Sequence, residues 1–146
     1  IDTETGFNKV VVINSAYGLG EMVVKGEVIP DEFVVFKPTL EKGYKAILSK
    51  TLGEKHEKMI YGKTGTLKVK VKENDRDKFS LGDDQIIQLA TWVTLIEKYF
   101  SKKYGRYQPM DVEWAKDGKT GELFIVQARP ETGHAEVDPN LYREYK

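Results

Sequence analysis

"PMDVEWAKDGKTGELFIVQARPET", from Pro109 to Thr132, reads as two short strands joined by a glycine-containing turn. Val112 and Trp114 in the first strand and Phe124 and Val126 in the second alternate with other residues, the spacing by which a strand turns one face to a core. Between them stand Asp111, Glu113, Gln127 and Arg129. A plain structural hairpin has no need of two carboxylates, an amide and a guanidinium in those places.

Alternation gives the four a common address. Asp111, Glu113 and Ala115 share one side of the first strand; Leu123, Ile125, Gln127 and Arg129 share one side of the second. With "DGKTG" as the turn, Lys116 is expected opposite Glu122, Asp111 opposite Gln127 and Glu113 opposite Ile125, diagonal to Gln127. That register gathers the odd-numbered residues on one face, and a one-residue slip would separate them. Carboxylates and an amide oxygen are hard ligands that suit Mg²⁺, which also takes water and substrate phosphates. A guanidinium matches phosphate oxygens in a fork geometry. The face suits a metal–triphosphate. It also suits a surface hairpin whose Arg129 pairs with Asp111 or Glu113, since exposed ion pairs are common and worth little.

The rest of the chain predicts strands interleaved with one long helix, an α+β fold with mainly antiparallel sheet. Ile86, Leu89, Ala90, Val93, Ile96 and Phe100 recur at helical spacing, so a helix is expected over about 82–103. Ser80 with Asp83 three residues on resembles a capping box, Lys102 and Lys103 complement the last turn, and Gly105 stops it. The run from Val10 to Ile13 suits a buried strand. After the turn-like "AYGLGE", alternating apolar residues lead to Phe36. "YKAILSKTLGEKHEKMIYG" reads as extended with a charged turn. "TGTLKVKVKEN" sets Leu67, Val69 and Val71 against an outer face of Lys68, Lys70 and Lys72.

Composition narrows the function. Lys+Arg and Asp+Glu both number 23, so no global field favours nucleic acid or an anionic membrane. No apolar run approaches the roughly 20 residues of a membrane helix. The lack of cysteine excludes disulfides and thiolate metal sites and fits a reducing, cytoplasmic compartment. The chain opens on Ile1 rather than Met, and a piece of a longer protein is expected. "AYGLGE" lacks the Lys-Ser/Thr of a phosphate-binding P-loop and reads alone as a tight turn whose glycines supply positive φ. His56 and His134 have no partner at metal-ligand spacing and read as solvated. Trp92 and Trp114 read as core aromatics.

"AYGLGEMVVKGEVIPDEF", "VFKPTL", "KFSLGDDQI", "PMDVEWAKDG" and "FIVQARPET" together resemble the phosphoenolpyruvate synthase family, whose wider relatives include pyruvate phosphate dikinase. The likeness runs in order from about Val10 to Thr132. It implies the C-terminal portion of an ATP-grasp domain over 1–132, with a polar tail at 133–146. Such a domain clamps Mg²⁺–ATP between two lobes and passes a phosphoryl group to a histidine on another domain. By motif position, Glu113 and Gln127 are implied as the Mg²⁺ and phosphate ligands, Asp111 as support of the metal shell, and Arg129 as the catalytic contact to the ATP phosphates. Gly18, Gly20 and Glu21 are implied to lie near the nucleotide. The phosphohistidine motif, the pyruvate-binding barrel and the N-terminal lobe are absent from these residues. "KKYGRYQPMDVEW" is about two residues longer than the family spacing, with Lys103 where a histidine is frequent. Partners implied are ATP, the N-terminal lobe and the phosphohistidine domain, with a homo-oligomer among the partner readings; exposed lobe-contact surface would favour aggregation or non-native association. The other readings are a pyruvate phosphate dikinase-type domain and a non-catalytic domain that binds a nucleotide or a protein.

Overall fold

A computed structural model describes residues 9–131. In order it contains β1 (Val10–Ser15), α1 (Glu21–Val24), β2 (Asp31–Phe36), α2 (Lys37–Glu41), β3 (Ile47–Thr51), β4 (Glu57–Gly62), β5 (Gly65–Lys70), α3 (Glu73–Arg76), α4 (Asp83–Tyr104), β6 (Met110–Lys116) and β7 (Leu123–Pro130). Every strand pairing is antiparallel: β1–β2–β3 form one sheet, β4–β5 a second and β6–β7 a third. The architecture is α+β.

The helix expected over about 82–103 spans 22 residues, accompanied by three helices of four or five. Its apolar stripe is buried at Ile86, Leu89, Ala90 and Val93. That stripe packs against Val11 and Ile13 of β1, Phe33 and Val35 of β2, and Met110, Val112 and Trp114 of β6. The helix thus joins the first sheet to the β6–β7 hairpin through one core. Gly105 ends it at φ +71°, a left-handed conformation that costs glycine little.

Ser80 does not cap it. Gly82 is the N-cap, and its N–H donates to Gln85 Oε1 at 3.0 Å. Ser80 serves a distant partner instead: its N–H and Oγ both donate to Asp31 Oδ2 at 2.7 Å. Two other expectations are corrected. Residues 21–24, read as extended, form the single helical turn α1, whose Met22 is buried with Ala16, Val28 and Met59. Leu67 is 55% exposed, because β5 pairs only with β4 among the described residues and no layer covers that side.

Asp31 is the hub of a buried polar network. Its Oδ1 accepts from Gly53 N–H at 2.8 Å and Lys55 Nζ at 2.6 Å, with Asp31 and Lys55 both fully buried. Lys55 Nζ also donates to the carbonyls of Gly53 and Arg76, each at 3.1 Å, which uses all three ammonium protons. Ser80 Oγ lies 2.7 Å from Ser15 Oγ. One carboxylate therefore ties β1, β2, the segment after β3, the end of α3 and the approach to α4. A buried pair survives only with such complete satisfaction. A second buried pair, Lys37 with Glu97, joins α2 to α4, and Tyr107 Oη donates to Glu97 Oε2 at 3.0 Å.

Asp31→Ala should cost on the order of 3–5 kcal/mol, because it leaves the Lys55 ammonium buried without its counter-ion. Asp31→Leu combined with Lys55→Met should cost less than Asp31→Ala alone. Denaturant unfolding of both variants checks the order, and a costlier double variant would contradict the network described.

Candidate functional site

The β6–β7 turn closes one rung further out than "DGKTG" suggests. Asp117 N–H donates to the Glu122 carbonyl, and Gly121 N–H to the Asp117 carbonyl, both at 2.8 Å. Asp117 Oδ1 accepts from the N–H groups of Lys119 and Thr120 at 2.7 and 3.1 Å, and these bonds hold its carboxyl below the usual value. Lys116 consequently faces Leu123 rather than Glu122, and Trp114 faces Ile125. Val112 and Trp114 are buried as expected. Their partners, however, are Ala128 and Ile125, which pack on the core with Leu123, while Phe124 and Val126 are 46% and 63% exposed.

Continued without interruption, that alternation would send Gln127 and Arg129 into the core behind Leu123 and Ile125. A β-bulge prevents it. Between the rungs Trp114↔Ile125 and Glu113↔Gln127, Val126 has no rung of its own. Val126 and Gln127 are both exposed, while Ile125 and Ala128 on either side pack on the core. Alternation resumes one residue late, so Glu113 faces Gln127 and Asp111 faces Arg129 directly. The four residues do share the outer face, in a register that differs from the expected Asp111–Gln127 and Glu113–Ile125 pairs.

Asp111 and Glu113 are half-buried, and Gln127 and Arg129 are exposed. Among the described residues, no ion pair joins Arg129 to Asp111 or Glu113. The guanidinium is thus available to an outside anion. Sequence reasoning missed a fifth member. Glu131 N–H donates to the Pro109 carbonyl at 2.9 Å, which extends the ladder by one rung and sets Glu131 diagonal to Asp111. Its Oε2 is buried without a partner, and its carboxyl is pushed up to about 7, first by burial and then by the Asp111 charge. The signal was present, since Gln127, Arg129 and Glu131 occupy alternate positions.

No group of three His, Cys, Asp or Glu able to hold a metal occurs among the described residues. This donor set fits Mg²⁺ nonetheless, because Mg²⁺ is bound through one or two carboxylates and takes its remaining oxygens from water and phosphate.

The "AYGLGE" loop approaches the same hairpin from the other side of a cleft of about 590 Å³, whose walls include Tyr17, Gly18, Gly20, Tyr61, Ala115 and Lys116. Gly18 has φ +78°, and a Cβ there would stand 2.6 Å from the Met59 carbonyl oxygen, so the turn requires glycine. Leu19 N–H donates to that oxygen at 2.8 Å and pins the loop to β4. Tyr17 Oη donates to the Asp75 carbonyl, and its phenol is pushed up to about 12 by burial and then by Asp75 and Asp31. Glu21 opens α1, its side chain outside what the structure describes. His56 is partly exposed beside Glu57; His134 and the tail at 133–146 lie outside the described residues.

The model of the family "Pyruvate phosphate dikinase, AMP/ATP-binding domain" matches residues 1–144. The chain belongs to that family. It is similar to the phosphoenolpyruvate synthase of Aquifex aeolicus, at 61% identity over 100% of this chain and 17% of that protein. The phosphoenolpyruvate synthase of a Synechocystis species is 54% identical over 100% of this chain and 18% of its own length. That of Escherichia coli is 54% identical over 90% and 16%. The chain thus spans about one-sixth of the length of these relatives. No helix among the described residues is long and apolar enough to cross a membrane.

Glu131 supplies a pH prediction. Its folded pKa is raised from 4.5 to about 7, so the stability it contributes is full below 4.5 and lost as pH rises through about 7. In protein free of metal and nucleotide, Glu131→Gln, which copies the neutral form, should raise the unfolding temperature at pH 8 and leave it nearly unchanged at pH 4.5. An equal gain at both pH values would refute the assignment.

Proposed function

We propose that this chain is the C-terminal portion of an ATP-grasp nucleotide-binding domain, that residues 1–132 form it, and that the outer face of β6–β7 binds Mg²⁺–ATP. The observation that carries the reading is the pairing of Glu113 with Gln127 and of Asp111 with Arg129 on one outer face. The names of the relatives support phosphoenolpyruvate synthase as the whole protein. In our reading that protein converts ATP, pyruvate and water to phosphoenolpyruvate, AMP and phosphate through a phosphohistidine on another domain.

Phosphoryl transfer asks a protein for positioning and charge neutralisation more than for covalent chemistry. Glu113 and the Gln127 amide oxygen would hold Mg²⁺, and Asp111 would accept hydrogen bonds from its water shell. Mg²⁺ held there would supply neutralisation of phosphate charge. Arg129 grips non-bridging phosphate oxygens through its planar fork, which a lysine cannot copy. Gly18, Gly20 and Glu21 border the nucleotide across the cleft. The N-terminal lobe closes the other side, and the histidine domain accepts the phosphoryl group.

In the full-length protein, Glu113→Ala should abolish ATP-dependent phosphohistidine formation without unfolding the domain. Arg129→Lys should slow it by roughly 1000-fold, as loss of a phosphate-clamping arginine does. Rapid-quench measurement of phosphoenzyme checks both, and near-normal phosphoenzyme in Glu113→Ala would remove the metal role.

A further inference from the structure

We propose that the bulge at Val126 is a positioning device for this site: the additional residue sets how Gln127 lies against Glu113 and places an apolar side chain beside that pair. The inference rests on the reading that the face binds Mg²⁺–ATP. Its basis is that the hairpin does not need the residue in order to fold. With Val126 left out, the strand runs Leu123, Phe124, Ile125, Gln127, Ala128, Arg129. This alternates inward and outward without a break, and each residue keeps its present partner: Leu123 with Lys116, Phe124 with Ala115, Ile125 with Trp114, Gln127 with Glu113, Ala128 with Val112 and Arg129 with Asp111. Val126 adds no rung, and at 63% exposure it adds no burial to the core. Regular pairing alone would not retain it.

Its position is specific. The bulge lies neither at the turn nor at the strand end but between the buried Trp114 and the Glu113–Gln127 rung. A bulge bends its strand and increases the local twist, so it rotates the Gln127 amide relative to the Glu113 carboxylate. Two metal-facing groups on adjacent strands of a flat ladder would point along parallel directions; a locally twisted rung changes the angle at which they converge on one ion. Because Val126 and Gln127 both face outward, Glu113 has an apolar neighbour as well as a polar one. The branched, stiff Val126 side chain, with Phe124 further along the same face, forms a border that sheds water as ligand closes over it.

The test compares Val126 deletion, Val126→Ala and Glu113→Ala in the full-length protein. Deletion of Val126 should leave the unfolding temperature within a few degrees of wild type. It should lower kcat for phosphoenzyme formation by roughly 100-fold, as a misplacement of about 1 Å does, and raise the Mg²⁺ concentration for half-maximal rate. Val126→Ala, which keeps the bulge, should raise KM for ATP and leave kcat nearly unchanged. A folded deletion variant with wild-type kcat and Mg²⁺ dependence overturns the proposal. So does a deletion variant that fails to fold, because the bulge is then a requirement of the hairpin itself. If Glu113→Ala is also active, the site reading has failed; if only the deletion is silent, the positioning role alone has failed.

Discussion

A strand has two faces and its residues alternate between them, so a strand can present only one parity to water. β7 begins with Leu123 and Ile125 inward and ends with Gln127 and Arg129 outward, although all four carry odd numbers. Only a break in alternation reconciles those demands, and Val126 is the break. The additional residue, Val126, shifts the parity, and the bulge absorbs that shift. Asp117 draws Lys119 and Thr120 into a closed loop, which fixes Lys116 against Leu123 and commits the near end of the hairpin to one parity. The bulge at Val126 then resets it, so that Glu113 faces Gln127. With Val126 on a regular rung of its own, a guanidinium and an amide would instead enter a core built around Trp114, at a desolvation cost.

The hairpin is useful only if its base is stiff. Its inner face packs on α4, and α4 packs on β1 and β2, so the apolar core carries position from the first sheet to the outer face. The Asp31 network adds direction to that packing. It reaches Ser15 just before the "AYGLGE" loop and Ser80 just before α4, so a buried charge fixes the loop and the helix relative to one sheet. Leu19 N–H on the Met59 carbonyl then holds the loop against β4, and the cleft opens between that loop and the end of β6. Both walls of the cleft are therefore anchored to the same buried carboxylate or to the helix that it positions.

Much of this was legible in the sequence, for physical reasons that also mark the limits. The spacing of Ile86, Leu89, Ala90 and Val93 revealed α4 because a helix repeats every 3.6 residues whatever packs on it. Alternation revealed the β6–β7 strands and the shared face of Asp111, Glu113, Gln127 and Arg129. It did not reveal the register, which depends on bonds from the Asp117 side chain to backbone N–H groups, nor the bulge, which has no residue signature of its own. The expected register reached the correct face through two offsetting errors: one rung too few at the turn and one residue too few at Val126. Ser80 looked like a helix cap because capping is judged from four adjacent residues, whereas its partner, Asp31, stands 49 positions away. Glu131 was overlooked because it follows a proline that reads as the end of the strand, although one further rung carries it back beside Asp111.

The most direct measurement is the location of the metal. Crystals of the full-length protein with Mn²⁺ in place of Mg²⁺ and a non-hydrolysable ATP analogue would reveal the ion by its anomalous scattering. A single strong peak is expected on the outer face of β6–β7, within normal coordination distance of a Glu113 carboxylate oxygen and the Gln127 amide oxygen, with Arg129 on the phosphates. A metal held by other residues, with Glu113 and Gln127 facing only water, would contradict the proposed Mg²⁺ site.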